Sequence, residues 1–212
     1  MHAILRWLYF ACLVRPLVLV VIGLNVRRRD RLPAAGPALI IANHNSHLDT
    51  MVLMSLLPLR LLSRLRPVAA ADYFLRNPLL RWFATRIIGI IPVQRGGHGG
   101  GHPLQGAFDA LEAGDILVLF PEGTRGEPEI MSSLKRGIGH IARRYPQTPV
   151  CPVFLHGLGK ALPRGEALLV PFFCDVFVGE PLYGGTDVDG FMGRVEQAFA
   201  GLRDSAGVRE WR

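Results

Sequence analysis

Hydrophobic positions along this chain follow two patterns. Short continuous apolar runs occupy residues 38–42 (Ala-Leu-Ile-Ile-Ala), 67–71, 87–93, 116–120 (Ile-Leu-Val-Leu-Phe) and 149–155, each with turn residues nearby. Runs of this length predict strands buried on both faces. A longer apolar stretch, Ala167 to Val178, predicts one or two strands around Pro171. Between the runs, apolar residues recur at helical spacing. Leu104, Ala107, Phe108 and Leu111 share one face of a helix predicted over 104–113, and Gly114 is its stop. Further helices are predicted over 49–57, 73–86, 134–145 and 191–202. Strands alternating with helices imply one α/β domain, with a central mixed, largely parallel sheet flanked by helices.

The amino-terminal segment follows neither pattern. Residues 1–26 are strongly apolar, interrupted by Arg6 and Arg15, with Pro16 directly after the second. The 11 residues between Arg15 and Arg27 would extend about 16 Å as a helix, about half of a bilayer core. An interfacial or half-inserted helix fits that length better than a full span. A signal peptide fits poorly, because Arg15 falls inside the apolar region and no A-x-A-like cleavage site follows. Arg27-Arg-Arg-Asp-Arg31 comes next. A basic cluster beside an apolar helix favours the cytoplasmic side and anionic headgroups. The chain thus divides into an apolar helical membrane-anchoring segment with a basic flank, 1–31, and the α/β domain, 32–212. The competing reading makes the segment the first core helix.

Composition narrows the classes. The chain has 212 residues, half of them hydrophobic and 19% charged, so there is ample apolar surface to offset the entropy of ordering. Net charge is +7, and Lys135 and Lys160 are the only lysines among 24 basic residues. Guanidinium suits bidentate contact with phosphate or carboxylate. No zinc-finger spacing, RNP-like stretch or base-reading basic helix accompanies the charge, so a nucleic-acid partner is not expected. Three scattered cysteines, Cys12, Cys151 and Cys174, suggest neither a disulfide framework nor a Cys-based metal site.

Two constellations carry chemistry. Asn43-His44-Asn45-Ser46-His47-Leu48-Asp49 lies where the first predicted strand ends and a helix begins, the place where α/β sheets gather reactive groups. If the chain turns between His44 and Asp49, the carboxylate accepts the proton of one ring nitrogen and leaves the other free as a base. No G-x-S-x-G elbow is present, and no Cys lies near a His in sequence, so the hydroxyl to be deprotonated belongs to the substrate. Asp49 as a helix cap, or His44 and His47 as metal ligands, are the plainer alternatives. The second constellation, Phe120-Pro-Glu-Gly-Thr-Arg125, follows the most apolar strand. There Gly123 permits close backbone approach, Glu122 can accept from hydroxyls and Arg125 can hold a phosphate. The glycine-rich tract 96–102 lacks the Gly-Lys-Ser/Thr ending of a P-loop and reads as a connector.

Together, the His-x4-Asp block and, roughly seventy residues later, Phe-Pro-Glu-Gly-Thr-Arg resemble the glycerolipid acyltransferase family, the 1-acylglycerol-3-phosphate acyltransferases in particular. Gly89-Ile-Ile-Pro-Val-Gln-Arg95, Leu134-Lys-Arg-Gly137 and Val150-Cys-Pro-Val153 resemble its remaining blocks, and Gly179-Glu-Pro181 a turn near its end. Three departures stand out: Ala70-Ala-Asp72 in place of a common lysine, Gly126 for a serine and Leu134 for a phenylalanine. The resemblance implies acyl transfer from acyl-CoA or acyl carrier protein to a lysophospholipid hydroxyl. With the apolar segment and its basic flank, the expectation is a monotopic or peripheral enzyme at the cytoplasmic face of the cell membrane. The resemblance also implies His44 and Asp49 as the catalytic pair, and Arg95 at the acceptor phosphate. The mechanism expected from these residues adds Arg125 and Lys135 at that phosphate, Glu122 at the glycerol hydroxyls, and the Gly123 and Thr124 N–H groups at the developing oxyanion. No metal or cofactor is expected beyond the thioester co-substrate. Rival readings are another acceptor, such as a lyso-ornithine lipid or glycerol-3-phosphate, a thioester hydrolase, and a non-catalytic lipid-binding protein.

Overall fold

Ala38–Ala42 forms a strand, β2, with all five residues buried. A strand hidden on both faces must sit inside a sheet with layers above and below it. A computed structural model describes residues 2–21, 23–46, 48–71, 77–93, 102–126, 131–158 and 174–207. In it β2 lies fourth in a seven-stranded sheet ordered β1-β7-β6-β2-β5-β3-β4. The other strands are β1 (Leu24–Arg27), β3 (Leu65–Ala70), β4 (Ile91–Val93), β5 (Ile116–Leu119), β6 (Val150–His156) and β7 (Cys174–Val178). All neighbours run parallel except β6 and β7.

Alternate residues of the central strands feed two cores. Ala38, Ile40 and Ala42 join Ile116, Val118, Val153 and Leu155 on one face. Leu39 and Ile41 join Leu117, Val150 and Phe154 on the other. The first face is covered by helix α1 and by α2 (Asp49–Leu56). Helix α1 begins as His2–Leu8 and continues through π-helical turns Tyr9–Val14 and Leu17–Val21. Its Phe10, Val14 and Val18 are core residues. The second face is covered by α4 (Gln105–Glu112), α5 (Gly137–Arg144) and α6 (Val188–Ser205). Helix α3 (Pro78–Trp82), prolonged by a π-helical turn over Phe83–Ile88, packs beside α1.

Several predicted bounds shift. The run 87–93 is not one strand. Ile87 and Ile88 close a helix, Gly89 turns the chain at φ 81°, and the strand holds only Ile91–Val93. Arg6 decides this: its guanidinium donates to the Ile88 carbonyl (2.9 Å) and to that of Leu65 (2.7 Å), and a Cβ at position 89 would sit 2.8 Å from it. The helix predicted from 134 starts at Gly137, because the Lys135 N–H donates to the Pro121 carbonyl at 2.7 Å instead. The last helix runs longer than predicted, capped by the Asp187 carboxylate on the Asp189 N–H. Of the strands predicted over 167–178, Cys174–Val178 is seen; the remainder lies outside the described residues, as do positions 73–76 of the 73–86 helix. Strand β1 lies within residues 1–31, where no strand was expected.

Candidate active site

The β2–β5 register sets the site. Ile41 pairs with Leu119, so three residues further each chain reaches the same edge, with His44 beside Glu122. The two motifs, distant in sequence, meet as a consequence of parallel pairing. The His44 N–H donates to Glu122 Oε1 at 2.8 Å, and the Gly126 N–H donates to the His44 carbonyl at 3.0 Å. The backbone of His44 is thereby clamped from both sides by the second motif.

His44 Nδ1 lies 2.9 Å from Asp49 Oδ2. That oxygen also accepts from the backbone N–H groups of Asn45 (2.6 Å) and Ser46 (2.8 Å). Asp49 is fully buried and opens α2, where the helix dipole favours a negative charge. Three donors on one carboxylate oxygen fix its position, and with it the imidazole. The opposite end of α2 is held by arginines. Arg15 donates to the Ser55 and Leu57 carbonyls, and Arg29 to that of Leu56 at 2.7 Å. The Phe120 ring stacks on the imidazole, with centroids 4.0 Å apart and planes 18° apart. The His44 side chain keeps 20% exposure, so the site is open to a substrate on that side.

Two neighbours act as braces. Asn43 is buried, and its side-chain amide exchanges hydrogen bonds with the Leu155 backbone, donating to the carbonyl (2.9 Å) and accepting from the N–H (2.7 Å). It extends the β2–β6 ladder one step beyond the last strand residue. Glu122, also buried, accepts through Oε2 from the Ser132 N–H and hydroxyl, both at 2.9 Å. Its carboxylate therefore ties together His44 and Ser132.

The remaining predicted residues are placed as follows. The Gly123 N–H donates to the Phe120 carbonyl at 3.0 Å with φ 73°. The stem of Lys135 passes over it, 3.4 Å from where a Cβ would stand. Thr124 is exposed and Arg125 half-buried in the same turn. Arg95 and His47 lie outside the described residues. Sequence reasoning assigned no role to Asn43, Phe120 or Ser132. A polar residue closing an apolar strand hinted at the first; nothing local signalled Ser132, whose partner is fixed only by the fold.

Burial keeps the nearby thiols neutral. It pushes Cys151 up to about 11, and Cys174 up to about 12 with added repulsion from Asp175 and Asp49. Neither supplies a thiolate nucleophile near neutral pH. Among the described residues no group of three or more His, Cys, Asp or Glu side chains is arranged to hold a metal ion.

The chain matches the family model described as acyltransferase over residues 23–156. It is 28% identical over 164 residues to a chloroplastic 1-acyl-sn-glycerol-3-phosphate acyltransferase of Arabidopsis thaliana, covering 76% of this chain and 44% of that protein. It is 31% identical over 165 residues to the N-acylphosphatidylethanolamine synthase of the same plant, covering 71% and 57%. The chain spans about half the length of the curated relatives it matches. Its fold matches the crystal structure of the 1-acyl-sn-glycerophosphate acyltransferase PlsC from Thermotoga maritima with a TM-score of 0.76 at 19% identity, covering 99% of this chain and 81% of that one.

Proposed function

This chain belongs to the acyltransferase family, and from that premise we propose that it transfers a fatty acyl group from acyl-CoA or acyl carrier protein to the free hydroxyl of 1-acyl-sn-glycerol-3-phosphate, giving phosphatidic acid. The observation that carries this reading is the His44–Asp49 contact at 2.9 Å, clamped to the Glu-Gly-Thr-Arg turn.

With Nδ1–H donated to Asp49, Nε2 is the base. It takes the proton of the acceptor hydroxyl as that oxygen attacks the thioester carbonyl. The C–O bond forms, the C–S bond breaks, and the imidazolium returns the proton to the leaving thiolate. Negative charge on the carbonyl oxygen calls for aimed donors. The Gly123 N–H is occupied by Phe120, so the Thr124 N–H is the turn's candidate. Glu122 positions His44 in this mechanism, in place of gripping glycerol hydroxyls. Arg125 and Lys135, joined by Arg95, receive the acceptor phosphate.

The reaction takes place at a membrane surface in this reading, on the cytoplasmic face. His2–Val20 is 19 residues long with mean hydropathy 1.8, and by length and composition alone it is apolar enough to cross a membrane. One face packs on the domain core while Ile4, Leu8, Leu13 and Val20 stay exposed, Val20 at 79%. A helix seated against its own domain in this way favours attachment in one leaflet. The acceptor's chain can then remain in lipid during the reaction.

Replacing His44 by Ala is expected to lower transfer about 1,000-fold or more while the thermal unfolding midpoint stays close to wild type. Activity near wild type, with acyl-CoA and lysophosphatidate as substrates, would overturn the base assignment. Fatty acid released without lipid product would identify a hydrolase. The similarity to an N-acylphosphatidylethanolamine synthase is the reason to include other acceptor headgroups in the same assay.

A further inference from the structure

The arginines between residues 60 and 86 have divergent fates. Arg64 and Arg66 are committed to Asp115: the Arg66 Nε–H donates to it at 3.0 Å, and Arg64 pairs with it at 3.5 Å while donating to the Ala113 carbonyl. Arg81 and Arg86, on α3 and its π-helical extension, are exposed and have no ion pair among the described residues. They line a shallow cleft of about 340 Å³ with Pro78, Trp82 and Thr85. Positions 78, 81, 82, 85 and 86 follow helical spacing, so these side chains share one stripe. The opposite side of the helix, Ala84, Ile87 and Ile88, is buried in the protein.

The surroundings of this stripe are apolar. Leu79 is 73% exposed, and Leu80 and Trp82 are exposed as well. The Trp82 ring meets His2 edge-on at 6.0 Å, and Phe83 meets Tyr9 at 5.3 Å. The exposed leucines of α3 thus adjoin the exposed apolar face of α1. Two guanidiniums with no ion pair among the described residues, beside an indole and within an apolar surface, suit a ligand that is anionic and attached to hydrocarbon. An anionic phospholipid meets both conditions, with its phosphate accepting from arginine and its chains continuous with the leucines. A soluble acidic protein surface would leave the leucines uncovered.

We propose that the Arg81–Arg86 cleft is a seat for the phosphate of an anionic phospholipid headgroup, separate from the acceptor site at His44, and that it orients the enzyme on the bilayer. This rests on the membrane-surface reading above.

Sedimentation of the full-length protein with vesicles tests it. One set is pure phosphatidylcholine and the other contains one-fifth phosphatidylglycerol. Wild type binds both and favours the anionic vesicles. The double variant Arg81→Gln, Arg86→Gln binds phosphatidylcholine as wild type does, but its preference for anionic vesicles falls by about 30-fold, from about 1 kcal/mol per basic residue. Arg81→Lys, Arg86→Lys keeps most of the preference. A double Gln variant that retains the full preference overturns the site. Wild type that ignores both vesicle types overturns the membrane reading and the site with it. If the Gln variant instead loses turnover only with acyl carrier protein as donor, with vesicle binding unchanged, the arginines serve the donor and the lipid assignment fails. Sedimentation reads binding and not turnover, so an enzyme inactive on lysophosphatidate would refute the proposed reaction and leave this result standing.

Discussion

At the scale of single residues, the site depends on buried polar side chains that brace the backbone around His44. Asn43 makes both of its ladder bonds to Leu155 inside the core. Asn43→Ala would strand a backbone carbonyl and an N–H away from water, a loss of about 3 kcal/mol, read from urea unfolding. Activity should fall as well, because His44 follows directly on the chain. The cysteines give a pH signature. Folding holds Cys151 and Cys174 up at about 11 and about 12, whereas an unfolded thiol titrates near about 8.5. A pKa raised by folding contributes stability that is complete below the unfolded value and is lost as pH climbs toward the folded one. The urea midpoint should therefore drop between pH 8 and pH 10, and drop less in Cys151→Ala. Over the same range an alkylating reagent should label exposed Cys12 in the native protein and all three thiols only in denaturant.

Among the elements, the central strands were readable because burial on both faces leaves an unbroken apolar run of strand length between turn residues. Strand β2 falls on the predicted residues, and α2 begins at the predicted Asp49. The segment 87–93 was not readable in the same way. A continuous apolar run carries no period, and its conformation is decided by Arg6, more than eighty residues away in sequence. The basic residues of the first segment carry contacts that a linear reading does not show. Arg6 and Arg15 look like breaks in an apolar helix, and Arg27 to Arg31 like a headgroup-facing cluster. In the fold Arg6 and Arg15 reach backbone carbonyls, and so does Arg29. Arg31 pairs with Glu180, and Arg27 lies over the Phe177 ring. Burial lowers Arg6 to about 10, with repulsion from Arg66 adding to it, which still leaves it charged at neutral pH. Arg6→Met would leave the Leu65 and Ile88 carbonyls without their partner, with an expected cost of about 2–4 kcal/mol in urea unfolding.

For the whole molecule, α1 has two tasks at once. Phe10, Val14 and Val18 complete the core, so removing residues 1–26 would strip the domain along with any anchor; substitutions at the exposed Ile4, Leu13 and Val20 separate the two. The β2–β5 register, which sets His44 beside Glu122, has a kinetic implication. The contacts that brace His44 and its neighbour Asn43 join segments 78 and 112 positions apart, and contacts that remote form late when a chain refolds. Helical content should return first after dilution from denaturant, with turnover recovering only in the slowest phase. The enzyme's own activity would then be the most stringent gauge of when the middle of its sheet has zipped shut.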